Sequence, residues 1–293
     1  MTPSPHSALI PPHIDGFIVQ TDLRLSRFSV MGEATGAAGD GRIPERAEHS
    51  RAELELSLTL RGRASGLLGT QRAELRPQSM LWVLPRQPHL IVDASPDFLA
   101  WVLVFRRRLV RRVCTSPAGH PLTARGDRGA MLRRLPRAEV DALGALYAGV
   151  PVGAGRDVFN AGLGYVLSRS WLAFERAPQE PDPGAVHPCV RAAAWLLRDG
   201  QAGLSNEELA SRVGLSAQRL SRLFKAQMGT NLADFRNRQR IAHVVAHMHR
   251  GDANLTALAL DAGYGSYSQF HRVFKRFMGC APAAYARKRG GRG

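Results

Sequence analysis

"SRLFKAQMG", residues 221–229, and "HRVFKRFMG", residues 271–279, write one phrase twice, fifty residues apart. Arg, Phe, Lys, Met and Gly recur at matching places. Upstream of the first copy, Ser205 stands three residues before Glu208, the spacing of a capping box that opens a helix. Leu209, Ala210 and Val213 give that helix an apolar face. Gly214 follows, and a residue without Cβ tolerates the positive φ of a tight turn. Ser216 can cap a second helix, in which Leu220, Leu223 and Phe224 lie inward at i, i+3 and i+4 until Gly229 stops it. A short helix, a glycine turn and a second helix predict a helix-turn-helix over 205–229. In the second copy Asn254 is the cap, and Leu258, Ala259, Ala262 and Gly263 match the first at an offset of 49. From Ser266 onward the offset is 50, so the second turn is one residue longer and a second helix-turn-helix spans 254–279. Pro282 suits the first turn of a closing helix.

Inward apolar residues leave the rest of each second helix facing out. In the first copy these are Gln218, Arg219, Ser221, Arg222 and Lys225; in the second, Ser268, Gln269, His271, Arg272 and Lys275. Arginine pairs with guanine O6 and N7, and glutamine with adenine N6 and N7. The base-reading set is therefore Gln218, Arg219, Ser221, Arg222, Ser268, Gln269, His271 and Arg272. Hydroxyl, amide and ammonium groups suit phosphates, which assigns Ser205, Ser216, Lys225, Asn254, Ser266 and Lys275 to the DNA backbone. Between the copies, "NLADFRNRQRIAHVVAHMHRGD" carries an apolar stripe of Leu232, Phe235, Ile241, Val245 and Met248. Such a helix spans ~25–30 Å at ~1.5 Å per residue, which would set two recognition helices about one DNA turn, ~34 Å, apart.

Charge placement agrees with a polyanionic partner. The 293-residue chain has a formal charge of +16. From His187 onward, 17 Lys+Arg against 6 Asp+Glu give a net +11; the preceding residues hold 23 against 18, a net +5. Cys114, Cys189 and Cys280 are far apart with no C-x-x-C, which argues against a zinc finger or a disulfide framework. No stretch reaches the ~20 apolar residues of a membrane span. The start, "MTPSPHSALIPPH", has neither a basic lead nor an apolar core, so a cytoplasmic protein without membrane association is expected.

The first half reads differently. "ELELSLTLRG" alternates, with Leu54, Leu56, Leu58 and Leu60 on one face of a strand. The pattern recurs in "AELRP", "SMLWVLP", "HLIVD" and "FLAWVLVF", with a further strand near Phe17–Val19, predicting a small β-barrel or sandwich. "RAEVDALGALYAGV" and "RDVFNAGLGYVLSRSWLAFERA" take helical spacing. Pro178, Pro181, Pro183 and Pro188 then mark a semi-stiff linker.

From about His187 to Arg287 the chain closely resembles the AraC/XylS family of bacterial transcription regulators. "LASRVGLSAQRLSRLFKAQMG", "NRQRIAHVV" and "ALALDAGYGSYSQFHRVFKRFMGCAPAAY" carry the resemblance in order and spacing. It implies that Gln218, Arg219, Ser221 and Arg222 do most of the base reading and that Ser268, His271 and Arg272 add weaker contacts. Two departures stand out: "GYGS" at 263–266, and Ala286 where the family commonly has arginine. The resemblance extends less closely to the first half, where "EHSRAELELSLTLRGRASG" and "LRPQSMLWVLPRQPHLIV" look like paired cupin strands, with Pro77-Gln78 in place of the usual Pro-Gly turn. Cupin enzymes hold a metal with three His and a Glu. Here His49, Glu53 and His89 match part of that set, but Ala47 stands at one ligand position, so no metal or other cofactor is assigned. His49, Trp82, His89 and Trp101 are instead candidates for an effector pocket.

The expected fold is α+β: a cupin-like barrel with dimerisation helices, then an all-α domain of two helix-turn-helix units joined by a long helix. The expected division is a sensor over 1–120, a helical dimerisation segment over 121–177, a linker over 178–188 and a DNA-binding domain over 189–290. The expected function is a homodimeric, effector-responsive DNA-binding regulator that acts with RNA polymerase and is not an enzyme, with activation favoured by the resemblance. The alternatives are a cupin-type metalloenzyme with an accessory nucleic-acid domain, and a sequence-blind nucleoid protein.

Overall fold

The computed structural model describes residues 16–22, 53–116, 120–123, 131–150, 155–179, 184–198, 203–249 and 254–290. His49, one of the pocket candidates, lies outside them. The chain divides after Ala185 into two compact units.

The first unit is built on two antiparallel sheets. Its strands are β1 (Gly16–Asp22), β2 (Leu54–Arg61), β3 (Ala64–Leu68), β4 (Gln71–Leu75), β5 (Ser79–Val83), β6 (His89–Ala94), β7 (Leu99–Phe105) and β8 (Met131–Arg134). A five-stranded sheet has the order β1-β7-β2-β5-β8, and a three-stranded sheet the order β4-β3-β6. Among the helices, α1 (Arg107–Val113) and the short α2 (His120–Thr123) precede β8, and α3 (Arg137–Ala148) and α4 (Arg156–Arg176) follow it.

The alternation of β2 decides which way each layer faces. Leu54, Leu56 and Leu58 are fully buried and share a cluster with Trp82, Trp101, Leu103 and Phe105 and with Leu143, Leu163 and Phe174 of α3 and α4. Trp82 packs edge-on to Trp171 and Trp101 edge-on to Tyr147, with ring centroids 6.0 and 5.8 Å apart. Each such side chain removed from water contributes roughly 1.5–3 kcal/mol, so this layer anchors the helices to the large sheet. Within it the Tyr147 hydroxyl and Ser170 Oγ share a hydrogen bond of 2.7 Å, which satisfies two buried polar groups. The opposite face of the large sheet meets the small one: Leu81, Val83 and Ala100 cluster with Ala64, Leu68 and Leu75. Arg133 on β8 holds the end of α4, its guanidinium donating to the carbonyls of Phe174, Glu175 and Ala177 at 2.7–2.9 Å and lying over the Phe174 ring. A cation there meets the negative end of the helix dipole.

The proline-rich segment is tied to this unit where it is described: Gln179 bridges to Arg133 and Ala185 to Gln71. Besides the four-residue α2, three elements have no counterpart in the sequence reading. In β3, Ser65 and Gly66 break the apolar rhythm; β8 is four residues long; α1 carries four arginines and only two buried apolar residues, Leu109 and Val110.

The second unit is all helix: α5 (Pro188–Arg198), α6 (Asn206–Arg212), α7 (Ala217–Met228), α8 (Leu232–His249), α9 (Leu255–Asp261), α10 (Tyr267–Met278) and α11 (Pro282–Gly290). Helix α8 is shared. Its first turn buries Leu232 and Phe235, and the Phe235 ring packs tilted against Phe224 of α7, centroids 5.4 Å apart. Its later turns place Ile241, Val244 and Val245 in one cluster with Leu258, Phe270, Phe274 and Tyr285. No helix among the described residues is long and apolar enough to cross a membrane.

Candidate nucleic-acid interface

Each half of the second unit builds the same device. In the first, Ser205 accepts the Glu208 backbone N–H at 3.1 Å while Glu208 accepts the Ser205 N–H at 2.7 Å, a closed capping box. That backbone hydrogen bond holds the Glu208 carboxyl below its ordinary value. Gly214 turns the chain at φ +72°. Ser216 Oγ accepts the Arg219 N–H at 3.3 Å to start α7, and Gly229 ends it at φ +75°. In the second half, Asn254 accepts from Ala257 N–H at 3.0 Å, Gly263 turns at φ +85°, Ser266 accepts from Gln269 N–H at 3.2 Å, and Gly279 stops α10 at φ +74°. The repeat extends past the glycine stops: Phe274 meets Tyr285 at 5.7 Å, as Phe224 meets Phe235.

Burial sorts the residues of α7 and α10 into two faces. Leu220, Phe224, Met228, Phe270 and Phe274 are buried. Gln218, Arg219, Arg222, Lys225, Ser268, Gln269, Arg272 and Lys275 are exposed, and Ser221 and His271 half-exposed. Leu223 is only half-buried, at the border of the two faces. Two of the outward residues have local partners. Gln269 Oε1 accepts the N–H of Gly265, the extra residue of the longer turn, at 3.0 Å. His271 lies beside Tyr267, ring centroids 6.2 Å apart. Arg219, Arg222, Lys225, Arg272 and Lys275 form no ion pair among the described residues, which leaves five cations on two similar helix faces. The four cap residues use an acceptor atom on their own helix; each serine hydroxyl and the Asn254 amide still has a donor to offer.

Other arginines of this unit are occupied in holding it together, a distinction that charge counting misses. Arg236 donates to Asn206 at 2.8 Å, joining α8 to α6. Arg276 pairs with Asp234 at 3.1 Å, joining α10 to the first turn of α8. Arg238 donates to Thr230 and lies over Phe277, and Arg240 lies over Tyr264. Burial and the neighbouring Arg240 lower the Arg236 guanidinium below its usual value, and burial raises the Tyr264 phenol. The two halves also touch directly: a Cβ on Gly263 would come within 2.7 Å of Gly203 Cα. A shared helix, a cross-link from α10 to α8 and this close approach fix one recognition helix relative to the other.

Of the effector-pocket candidates, the three described, Trp82, Trp101 and His89, do not share one lining. Trp82 and Trp101 stand opposite Leu56 and Leu58 in register and so point into the helix-side core, at 0% and 6% exposure. His89, on the small sheet, faces the other side of β2, where its Nε2 lies 3.9 Å from Glu55 Oε2. Period two sends alternate residues of a strand to opposite faces, and Trp82 and His89 fall on opposite sides of the large sheet. Glu55 was missed, although its parity with Ser57 and Thr59, against the leucines, was visible in "ELELSLTL". Between the sheets Glu53 is buried, and its Oε2 has no hydrogen-bond partner among the described residues. A pocket on the helix side is lined by Leu54, Pro85, Val110 and Leu122 and includes none of the three described candidates.

Residues 209–288 match the family described as "Helix-turn-helix domain". An AraC-like transcription regulator of Streptomyces antibioticus is 35% identical over 118 residues, which is 39% of this chain and 39% of the relative. A similar regulator of Streptomyces lividans is 32% identical over the same shares. The chain thus spans about two fifths of the length of the curated relatives it matches. Among solved structures, ToxT of Vibrio cholerae is similar over 81% of this chain and 90% of its own, at 13% identity and a TM-score of 0.34. The C-terminal domain of AraT, a response regulator from Geobacillus stearothermophilus, is similar over 36% of this chain and 89% of its own, at 25% identity and a TM-score of 0.34.

Proposed function

We propose, on the premise that residues 209–288 form a helix-turn-helix domain of the AraC-like kind, that the whole chain is a sequence-specific transcription regulator. One observation carries this reading: α7 and α10 present matching exposed faces, each with an arginine and a lysine that have no ion-pair partner among the described residues, on a scaffold that fixes one helix against the other. On double-stranded DNA, α7 enters one major groove with Gln218, Arg219, Ser221 and Arg222 toward base edges, and α10 enters the next with Ser268, His271 and Arg272. Gln269 makes the paired contact to adenine only by releasing the Gly265 N–H, so its part is the smallest. Lys225, Lys275 and the donors of Ser205, Ser216, Asn254 and Ser266 meet phosphates.

The first unit is the sensor, a cupin-like barrel whose effector enters between the two sheets near Glu55 and His89. Chains pair through α4, on which Val158, Tyr165 and Leu172 stand exposed at seven-residue intervals, the spacing of a coiled-coil seam. Ligand control requires the effector to bind two arrangements of the protein with different affinity. Contact with RNA polymerase completes an activator working in the cytoplasm, where the DNA is.

Selecting bound fragments from genomic DNA with the full chain tests both specificity and pairing. A shared motif, present twice in each fragment, is the expected result. Enrichment without any motif contradicts the regulator; a motif present once removes the dimer.

A further inference from the structure

Helix α8 carries a feature that DNA recognition does not use. His243 and His247 are four residues apart on one face, their rings 4.4 Å apart between centroids. Asp261, the last residue of α9, reaches them from the neighbouring helix, with its Oδ2 2.8 Å from His243 Nε2. One ligand atom from each of the three lies within 4.8 Å of the others. His243 is 30% and Asp261 65% exposed, so an ion reaches them from solvent without opening the core.

We propose that His243, His247 and Asp261 bind a divalent transition-metal ion of the zinc class. Two imidazoles and one carboxylate suit zinc, cobalt, nickel or copper and disfavour magnesium and calcium, which take oxygen ligands. Bonds of about 2.0–2.1 Å around a tetrahedral ion set ligand atoms about 3.3 Å apart. The set as it stands is wider by up to about 1.5 Å, and rotation of these solvent-accessible side chains closes it, with water as the fourth ligand. The ion replaces the His243–Asp261 hydrogen bond with a three-way staple between α8 and the end of α9. From that point the chain passes through Gly263 to Ser266, the cap of α10, so the staple sits where the second recognition helix is aimed.

The test is a titration of the full chain with cobalt(II), followed by its visible absorption and then by displacement with zinc. It uses no DNA, so its failure leaves the regulator reading untouched, and failure of that reading leaves the metal site standing. Wild type is expected to bind one ion at this set. His247→Gln is expected to weaken binding by more than the roughly 10–100-fold that loss of an outer-shell partner costs. Asp261→Asn keeps an acceptor for His243 on an exposed residue, so it folds as wild type does, and it too is expected to lose affinity. Zinc should raise the melting temperature of wild type and of neither variant. Equal affinity in wild type and Asp261→Asn, or wild type binding no more ion than a His243→Gln/His247→Gln double variant, overturns the proposal.

Discussion

Gln78 has a φ of +77°, a backbone region that favours glycine. It follows Pro77 in a turn closed by Ser79 N–H donating to Arg76 O at 2.9 Å, and a proline followed by a positive φ is the pattern of a type II turn. Its own N–H donates to Thr59 O, and its carbonyl accepts from Leu135 N–H at 3.0 Å, so strands on both sides hold the strained residue in place. The departure from Pro-Gly was visible in the sequence; that the turn survives it was not, because the restraint comes from residues far along the chain. A left-handed conformation costs a side-chain-bearing residue about 1–2 kcal/mol, against about 0.4–1 kcal/mol for the extra freedom of glycine in the unfolded chain. Gln78→Gly is therefore expected to stabilise the first unit by up to about 1.6 kcal/mol, the difference of those terms. Urea unfolding followed by tryptophan fluorescence checks this, since Trp82, Trp101 and Trp171 all lie in that unit. A loss of stability would contradict the strain argument. Ser205 and Arg222 were readable for the opposite reason: a cap and an outward helix position depend on neighbours within four residues.

At the scale of elements, the two glycines that share a backbone conformation in the second half differ in surroundings. Gly279 has φ +74° and open space where a Cβ would go. Gly263 has φ +85°, and a Cβ there would stand 2.7 Å from Gly203 Cα and 3.3 Å from an Arg240 nitrogen. Gly279→Ala should cost about 1–2 kcal/mol from the backbone alone. Gly263→Ala should cost about 2–5 kcal/mol, because overpacking adds about 1–3 kcal/mol to the same term. Unfolding of the second unit, followed by Trp195 fluorescence and far-ultraviolet circular dichroism, checks the order. Equal losses would show that Gly203 moves aside freely and that the two halves are not braced there. Both helix-turn-helix units were legible because cap, apolar face, glycine turn and glycine stop are all local. Strand β3 and helix α1 were not: Gly66 sits within reach of Leu90 O, where a Cβ would clash at 2.4 Å, and α1 is set by burial of Leu109 and Val110 under α4. Tertiary packing overrides local pattern in such places.

Across the whole molecule the charge is concentrated in the second unit, yet its count overstates what is available to DNA. Arg236, Arg238, Arg240 and Arg276 are engaged with Asn206, Thr230, Tyr264 and Asp234. Arg219, Arg222, Lys225, Arg272 and Lys275 remain on the two recognition faces. Which cations are structural follows from contacts 8 to 42 residues apart, beyond the reach of a local reading. In the first unit, the approach of His89 to Glu55 and the burial of Trp82 and Trp101 on the helix side likewise follow from pairings between distant strands.

The regulator account rests on division of labour between base-reading and phosphate-holding side chains of α7. A mobility-shift titration of the full chain across salt concentrations, on a selected operator and on random DNA, measures it most directly. Arg222→Ala is predicted to narrow the gap between operator and random DNA by about 1–3 kcal/mol. Lys225→Ala is predicted to weaken both alike and to lower the salt slope by about one. An operator-to-random ratio unchanged by Arg222→Ala, together with a salt slope unchanged by Lys225→Ala, would contradict the account.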